Sequence, residues 1–265
     1  MTRVGVVGLG YWGPNLARNF AAIADCELAW CCDERAEVRE RWAPSFPSAR
    51  FTGDLEDLLD DPELDAIVLA TPVPTHGPLA ERVLRAGKHC FVEKPLAYTV
   101  EDAERAVAAA TASGRILMVG HLLVYHPGVE KLKQIADSGE LGAIHYVYSQ
   151  RLNLGQLRTD ENALWSLGAH DVSVILHLVG EDPVTVEARG EAYTRPDVED
   201  VVFAFLRFPS GVAAHLHMSW LDPHKTRAFT EFTFQVARRT RIASHRPLGF
   251  GTRWLFQVTH VAAEA

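Results

Sequence analysis

Short apolar runs separated by amphipathic stretches fill the first 120 residues. Val4-Gly5-Val6-Val7 and residues 26–32, 66–70, 89–92 and 116–119 lack the alternation of a half-buried strand. Continuous runs of that length read as strands buried on both faces. Residues 50–52 add a short strand. Helices are expected over 14–24, from just after Asp33 to Trp42, and in a turn over 55–59 capped by Asp54. Another runs from Pro78 to Gly87, with proline at its start and glycine just past its end. An alanine-rich helix opens at Thr99 with Asp102 as a capping box and closes at Gly114. Strands alternating with helices predict an α/β domain, a doubly wound parallel Rossmann sheet.

Beyond Gly120 the pattern changes. A helix is expected over 127–138, a break at 139–142, and an alternating strand over 144–151 with Tyr146 and Tyr148 on one face. A loop over 152–162 precedes a helix over 166–179 and a strand over 184–189. Residues 201–208 and 212–220, joined by Pro209-Ser210-Gly211, form a hairpin. Strands without intervening helices predict an α+β domain with a mainly antiparallel or mixed sheet. The expected division is 1–120 for a dinucleotide-binding domain and 121–265 for a substrate and oligomerisation domain.

Composition narrows the function classes. The chain has 265 residues, 48% of them hydrophobic, enough for two cored domains. A formal net charge of −8 argues against nucleic-acid binding. No apolar run reaches the ~18–20 residues that span a bilayer, and the first strand begins too early for a signal peptide. The four cysteines, Cys26, Cys31, Cys32 and Cys90, form no C-x-x-C pair, so buried thiols in a reducing cytoplasm are expected. None of the twelve histidines shows a zinc spacing, and no metal is expected.

The chemistry starts at Gly8-Leu9-Gly10-Tyr11-Trp12-Gly13, between the first strand and first helix. Asp33 follows Gly13 by 20 residues, at the end of the second strand. Strand, G-x-G-x-x-G, helix, strand and acid make the dinucleotide-binding fingerprint in its required context. The helix N-terminus offers free N–H groups to phosphates. A carboxylate at 33 repels a 2′-phosphate, so NAD is expected over NADP, with Arg35 close enough to reach a phosphate. Glu93-Lys94-Pro95 follows another strand at the carboxyl edge, where ligands of open α/β sheets bind. There a lysine assists proton transfer when partly desolvated, although such a lysine is more often a solvated surface residue.

These motifs resemble the glucose–fructose oxidoreductase/inositol dehydrogenase/rhizopine-catabolism (Gfo/Idh/MocA) family. The matching stretches are residues 7–13, Ala70-Thr71-Pro72 with Thr75-His76, Glu93-Lys94-Pro95, and Gly168-Ala169-His170-Asp171. The resemblance implies an NAD-dependent dehydrogenase of CH–OH groups in which Lys94 contacts the reacting hydroxyl and the Lys94–Pro95 peptide is cis. It implies cofactor contacts from Gly8, Gly10, Tyr11, Trp12, Gly13, Asp33, Thr71, Pro72, His76, Glu93 and Lys94. His170 takes the place of the family's general base, but Ser166 stands where an aspartate four residues earlier is usual. Asp171 is a poor replacement because adjacent helix residues diverge by about 100°.

Residues 121–127, 151–155 and 162–166 are similar to a nucleotide-sugar branch that oxidises UDP-N-acetylhexosamines or hexosaminuronates at carbon 3. Tyr125 or His126 would then face substrate or pack as ordinary side chains. Arg151, Asn153 and Arg158 would meet pyrophosphate or carboxylate oxygens or lie on a solvated loop, and Trp165 would line the sugar site. The alternatives are a dehydrogenase of inositol or a free sugar, and a non-catalytic NAD-binding protein. A homodimer or homotetramer through the C-terminal sheet is expected. Past about Glu231 the resemblance ends, which suggests a truncated or frame-shifted C-terminus or a genuine short form.

Overall fold

A computed structural model describes residues 1–139, 142–154, 157, 161–236, 244–249 and 255–263. The chain divides into two compact units, Met1–Gly120 and His121–Ala265.

In the first unit six strands form one parallel sheet: β1 (Thr2–Val7), β2 (Cys26–Cys32), β3 (Arg50–Thr52), β4 (Ala66–Leu69), β5 (His89–Val92) and β6 (Leu117–Val119). Their order, β3-β2-β1-β4-β5-β6, reverses direction between β1 and β4. The apolar runs lack alternation because both faces are covered. Val4 and Val6 of β1, Cys31 of β2 and Val68 of β4 face a core with Ala17, Val38 and Phe46. Val7, Cys32, Ile67 and Leu69 face the opposite core with Ala80, Val83, Leu84 and Ala106. Burial pushes the thiols of Cys31, Cys32 and Cys90 up to about 12, so they pack as small apolar groups.

Five helices cover this sheet: α1 (Gly13–Ala21), α2 (Ala36–Trp42), α3 (Glu56–Leu59), α4 (Val73–Arg85) and α5 (Val100–Ser113). Thr99 caps α5 by accepting from the Asp102 N–H at 3.1 Å, and Gly114 ends it at φ 65°. One boundary departs from expectation. Helix α4 begins at Val73, not Pro78, and carries Pro78 in its interior. A proline lacks a donor for the carbonyl four residues earlier. Here that carbonyl belongs to Pro74, still in the first turn, so one lost bond does not end the helix.

The second unit holds a seven-stranded mixed sheet. Its strands are β7 (Ala143–Leu152), β8 (Thr185–Glu191), β9 (Val201–Arg207), β10 (Ala213–Ser219), β11 (Thr226–Val236), β12 (Ser244–Gly249) and β13 (Leu255–Ala263), in the order β12-β13-β11-β7-β10-β9-β8. β9 and β10 make the expected antiparallel hairpin, while β10 runs parallel to β7. The segment after residue 231 therefore contributes backbone to the sheet through β11, β12 and β13.

Helices α6 (Pro127–Ser138) and α7 (Ala169–Val179) belong to this unit. Val174, Ile175 and Leu178 of α7 share a core with Val147, Ala204, Leu206, Leu216 and Met218. The helix expected over 166–179 is not uniform. It enters through one π-helical turn, Leu164–Gly168. A single turn with i→i+5 bonding is too short to set a period of its own, so apolar spacing does not reveal it. Among the described residues no helix is long and apolar enough to cross a membrane, and no group of three His, Cys, Asp or Glu side chains could hold a metal ion.

The tightest steric constraint is at Gly13, where a Cβ would lie 1.8 Å from the Gly8 carbonyl oxygen. Gly13→Ala must therefore displace backbone. The expected loss is about 3 kcal/mol, the upper range for overpacking, read as a lower denaturant midpoint for the first unit.

Candidate functional site

The conspicuous motifs of the first unit converge on one sheet edge. Gly8 follows β1, Asp33 follows β2, Thr71 and Pro72 follow β4, and Glu93, Lys94 and Pro95 follow β5. Hydrogen bonds continue the ladder into these turns: Gly8 N donates to Cys32 O at 2.8 Å, Ala70 N to Val7 O at 2.8 Å and Glu93 N to Leu69 O at 2.9 Å. The site thus sits at the carboxyl ends of β1 and β4, the switch point where an open α/β sheet leaves a crevice.

The three fingerprint glycines are not equivalent. Gly8 has φ 89°, and a Cβ there would lie 2.7 Å from Ala70 O. Gly13 is excluded from carrying a side chain by Gly8 itself. Gly10 is different, since a Cβ there would meet nothing closer than Arg35 Nη2 at 3.8 Å. The fold does not require a glycine at 10, but a ligand backed against this loop does. That open approach fits the pyrophosphate of a dinucleotide lying over the N-terminus of α1.

Asp33 is buried, yet both its oxygens are occupied. Leu9 N donates to Oδ2 at 2.9 Å and Arg35 N to Oδ1 at 3.1 Å. The Arg35 fork adds Nε to Oδ1 at 3.0 Å and Nη2 to Oδ2 at 3.1 Å. Burial alone would raise the Asp33 pKa, but the bonds from Arg35 and Leu9 outweigh it and hold the carboxyl below its ordinary range. Tyr11 and Trp12 are exposed at the rim and stack with centroids 6.5 Å apart.

The Glu93-Lys94-Pro95 turn is braced from several sides. Its Lys94–Pro95 peptide is cis. Lys94 N donates to Glu93 Oε2 at 3.2 Å. Burial pushes the Glu93 pKa up, partly offset by the bond from Lys94 N, the Lys94 charge and Trp12. His76, expected among the cofactor contacts, lies against this turn. It is buried, with Nδ1 2.7 Å from Pro95 O and Nε2 2.8 Å from Thr71 O, so it ties the two turns together. Thr71 Oγ1 is further engaged by Thr75 Oγ1 at 2.7 Å.

In the second unit His170 lies half-buried in the first turn of α7, just past the π-helical turn. Gly168 in that turn lets the backbone approach β10, since a Cβ would lie 3.3 Å from Met218 Cε. Arg151 is not on a solvated loop. It is buried on β7, with Nη2 2.6 Å from Asp171 Oδ1 and Nε 3.0 Å from Asp171 Oδ2. Spacing along the helix gave no sign of Asp171 as a partner, because the arginine it meets is 20 residues away. His126 Nδ1 caps α6 by accepting from Gly128 N at 3.0 Å. Asn153 N donates to Ser219 O at 3.0 Å. Tyr125 and Trp165 are exposed, and Trp165 N donates to Asn162 Oδ1 at 3.1 Å. Arg158 lies outside the described residues.

Known proteins share this architecture. Residues 2–121 match the family model described as oxidoreductase family, NAD-binding Rossmann fold (GFO/IDH/MocA), and residues 129–238 match the GFO/IDH/MocA C-terminal domain. The UDP-N-acetylglucosamine 3-dehydrogenase of Acidithiobacillus ferrooxidans is 33% identical over 89% of this chain and 77% of its own. Inositol 2-dehydrogenase 2 of Saccharopolyspora erythraea is 32% identical over 79% of this chain and 64% of its own. The crystal structure of the WlbA dehydrogenase from Bordetella pertussis, in complex with NADH and UDP-GlcNAcA, superposes with a TM-score of 0.81 at 27% identity. It covers 88% of this chain and 71% of the WlbA chain. The chain spans 57% to 77% of the length of the first four curated relatives it matches.

Two outcomes follow from this geometry. Gly10→Ala should change unfolding free energy by less than about 0.5 kcal/mol while weakening dinucleotide binding, measured by titration calorimetry. The second concerns Glu93, whose folded pKa is raised, so the native state holds its proton more tightly than the unfolded chain. Stability from this group is full below the ordinary carboxylate value of about 4.3 and is lost as pH rises through the raised value. Glu93→Gln stays neutral throughout. The wild-type-minus-variant difference in unfolding free energy should decline across that window and level off above it; a difference independent of pH would refute the assignment.

Proposed function

The chain belongs to the Gfo/Idh/MocA oxidoreductase family, and from that premise we propose that it is an NAD-dependent dehydrogenase oxidising a secondary hydroxyl of a sugar, a UDP-N-acetylhexosamine or hexosaminuronate at carbon 3. The observation that supports the reading is that Lys94 follows β5 and the fingerprint turn follows β1, two strands apart on the same carboxyl edge of the parallel sheet. The 33% identity to a UDP-N-acetylglucosamine 3-dehydrogenase favours the nucleotide sugar over inositol or a free sugar. Residues 1–120 bind the cofactor, and 121–265 supply the substrate side.

NAD fits the residues present, with its pyrophosphate against Gly10 and the N-terminus of α1, its adenosine ribose at Asp33, and further contacts from Tyr11, Trp12, Thr71, Pro72 and Glu93. When bound, it supplies the hydride acceptor for the carbinol carbon. Lys94 Nζ donates a hydrogen bond to the reacting hydroxyl and stabilises the developing alkoxide. The His170 imidazole accepts the hydroxyl proton, the side-chain type suited to general-base chemistry near neutrality. With serine at 166, no carboxylate at that position orients the ring. The bidentate Arg151–Asp171 pair fixes α7 instead, so Arg151 acts as a positioning residue and substrate oxyanions fall to Asn153 and Arg158. Tyr125, His126 and Trp165 bound the sugar site.

Self-association uses the face of the C-terminal sheet where Tyr146 and Phe203 are exposed and Tyr148 stacks on His215 at 5.3 Å. The protein works in the cytoplasm.

Lys94→Ala should retain NAD binding and lose roughly 10²–10⁴-fold in turnover, the usual worth of a proton-handling group. NAD reduction with UDP-N-acetylglucosamine but not with inositol supports the nucleotide sugar. The reverse pattern selects the inositol reading, and NAD binding without turnover of any sugar selects a non-catalytic protein.

A further inference from the structure

A carboxylate at the end of β2 selects NAD when it is free to accept from both ribose hydroxyls and to repel a 2′-phosphate. In this protein it is not free. The guanidinium of Arg35 sits in a fork on both Asp33 oxygens, and its Nη2 lies within 3.8 Å of where a Cβ of Gly10 would be. It therefore spans from the ribose acceptor to the phosphate loop. The Arg35 side chain is 56% exposed, so its outer N–H groups remain open to a ligand while the fork is closed. The pair carries no net charge, which removes the repulsion that a lone carboxylate would direct at a phosphate.

We propose that Arg35 is a two-position residue that sets cofactor selectivity. With the fork closed, Asp33 is neutralised and the outer guanidinium edge accepts a 2′-phosphate. With the fork open, Asp33 receives the ribose diol of NAD. The same contact therefore opposes NAD and supports NADP, and the wild-type protein binds both. This rests on the dinucleotide reading of the site but not on the sugar or on turnover. Arg35 immediately precedes α2 with its half-exposed side chain on Asp33, and α2 packs into the core through Val38, so removing the guanidinium takes no side chain out of the core.

The test is direct binding of NAD and NADP to the full chain by titration calorimetry, comparing wild type, Arg35→Ala and Arg35→Lys, with thermal melts to confirm folding. Arg35→Ala should tighten NAD by roughly two- to five-fold, the worth of an ion pair that no longer has to open. It should weaken NADP by roughly ten- to a hundred-fold through loss of charge-assisted bonds to the phosphate. Arg35→Lys, keeping charge without the fork, should fall between the two for NADP. The proposal is overturned if Arg35→Ala moves both Kd values in the same direction, or if wild type binds NAD and shows no NADP binding at all. Failure to bind either dinucleotide would instead remove the reading on which the proposal stands.

Discussion

One close approach governs the geometry of the first unit: the Gly8 carbonyl oxygen lies so near Gly13 that no side chain fits there. That contact sets the first turn of α1 directly on the end of β1. Gly8 in turn abuts the Ala70 backbone at the end of β4, so two central strands and one helix meet within a few ångströms. Because each element is also held by a core on its own face of the sheet, none can shift to relieve a methyl. The crevice at the switch point inherits its shape from this packing rather than from loop preferences. Gly10, which the packing ignores, is left facing the crevice.

Both units use an arginine fork on an aspartate, with opposite energetic consequences. Arg35–Asp33 has a half-exposed guanidinium, and an ion pair of that kind contributes little net stability, so a ligand can exchange for it. Arg151–Asp171 is buried on both sides. Removing one member there strands a charge away from water, at a cost of about 3–5 kcal/mol. The first pair suits a rim that must open, and the second suits a joint that must not. Asp171 follows His170 directly, so the buried fork fixes the first turn of α7 and with it the backbone of His170.

The strands of the first unit and the β9–β10 hairpin were legible because burial on two faces and burial on one leave different hydrophobic patterns, whereas β12 went unread. The carboxyl-edge turns were legible because glycine and proline there answer to local sterics. What escaped depended on partners distant in sequence or on hydrogen-bond register. Pro78 read as a helix start because proline is favoured there, yet Val73 and Pro74 already provide a first turn. The π-helical turn ahead of His170 spans only five residues, too few to leave a periodic signal. His76 reads as a contact residue in a motif, but its role as a tie between Thr71 and Pro95 requires knowing that β4 and β5 are neighbours. Arg35 is visible as a charge near Asp33, but its fork is a matter of geometry.

Lys94 shows how these pieces combine. Its backbone leaves a central parallel strand whose ladder extends to Glu93 N, and its own N–H is held by the Glu93 side chain. The next carbonyl, Pro95 O, is held by His76, itself anchored in a helix that packs on the sheet. Trp12 of the fingerprint turn also acts on Glu93, helping to offset the burial that raises its pKa. A reactive group on such a braced turn has its backbone placed by the sheet, and only its own side-chain rotamers remain to be set. The position of Lys94 relative to the fingerprint is thus a property of the first unit alone. That is why loss of its ammonium group should separate turnover from dinucleotide binding rather than abolish both.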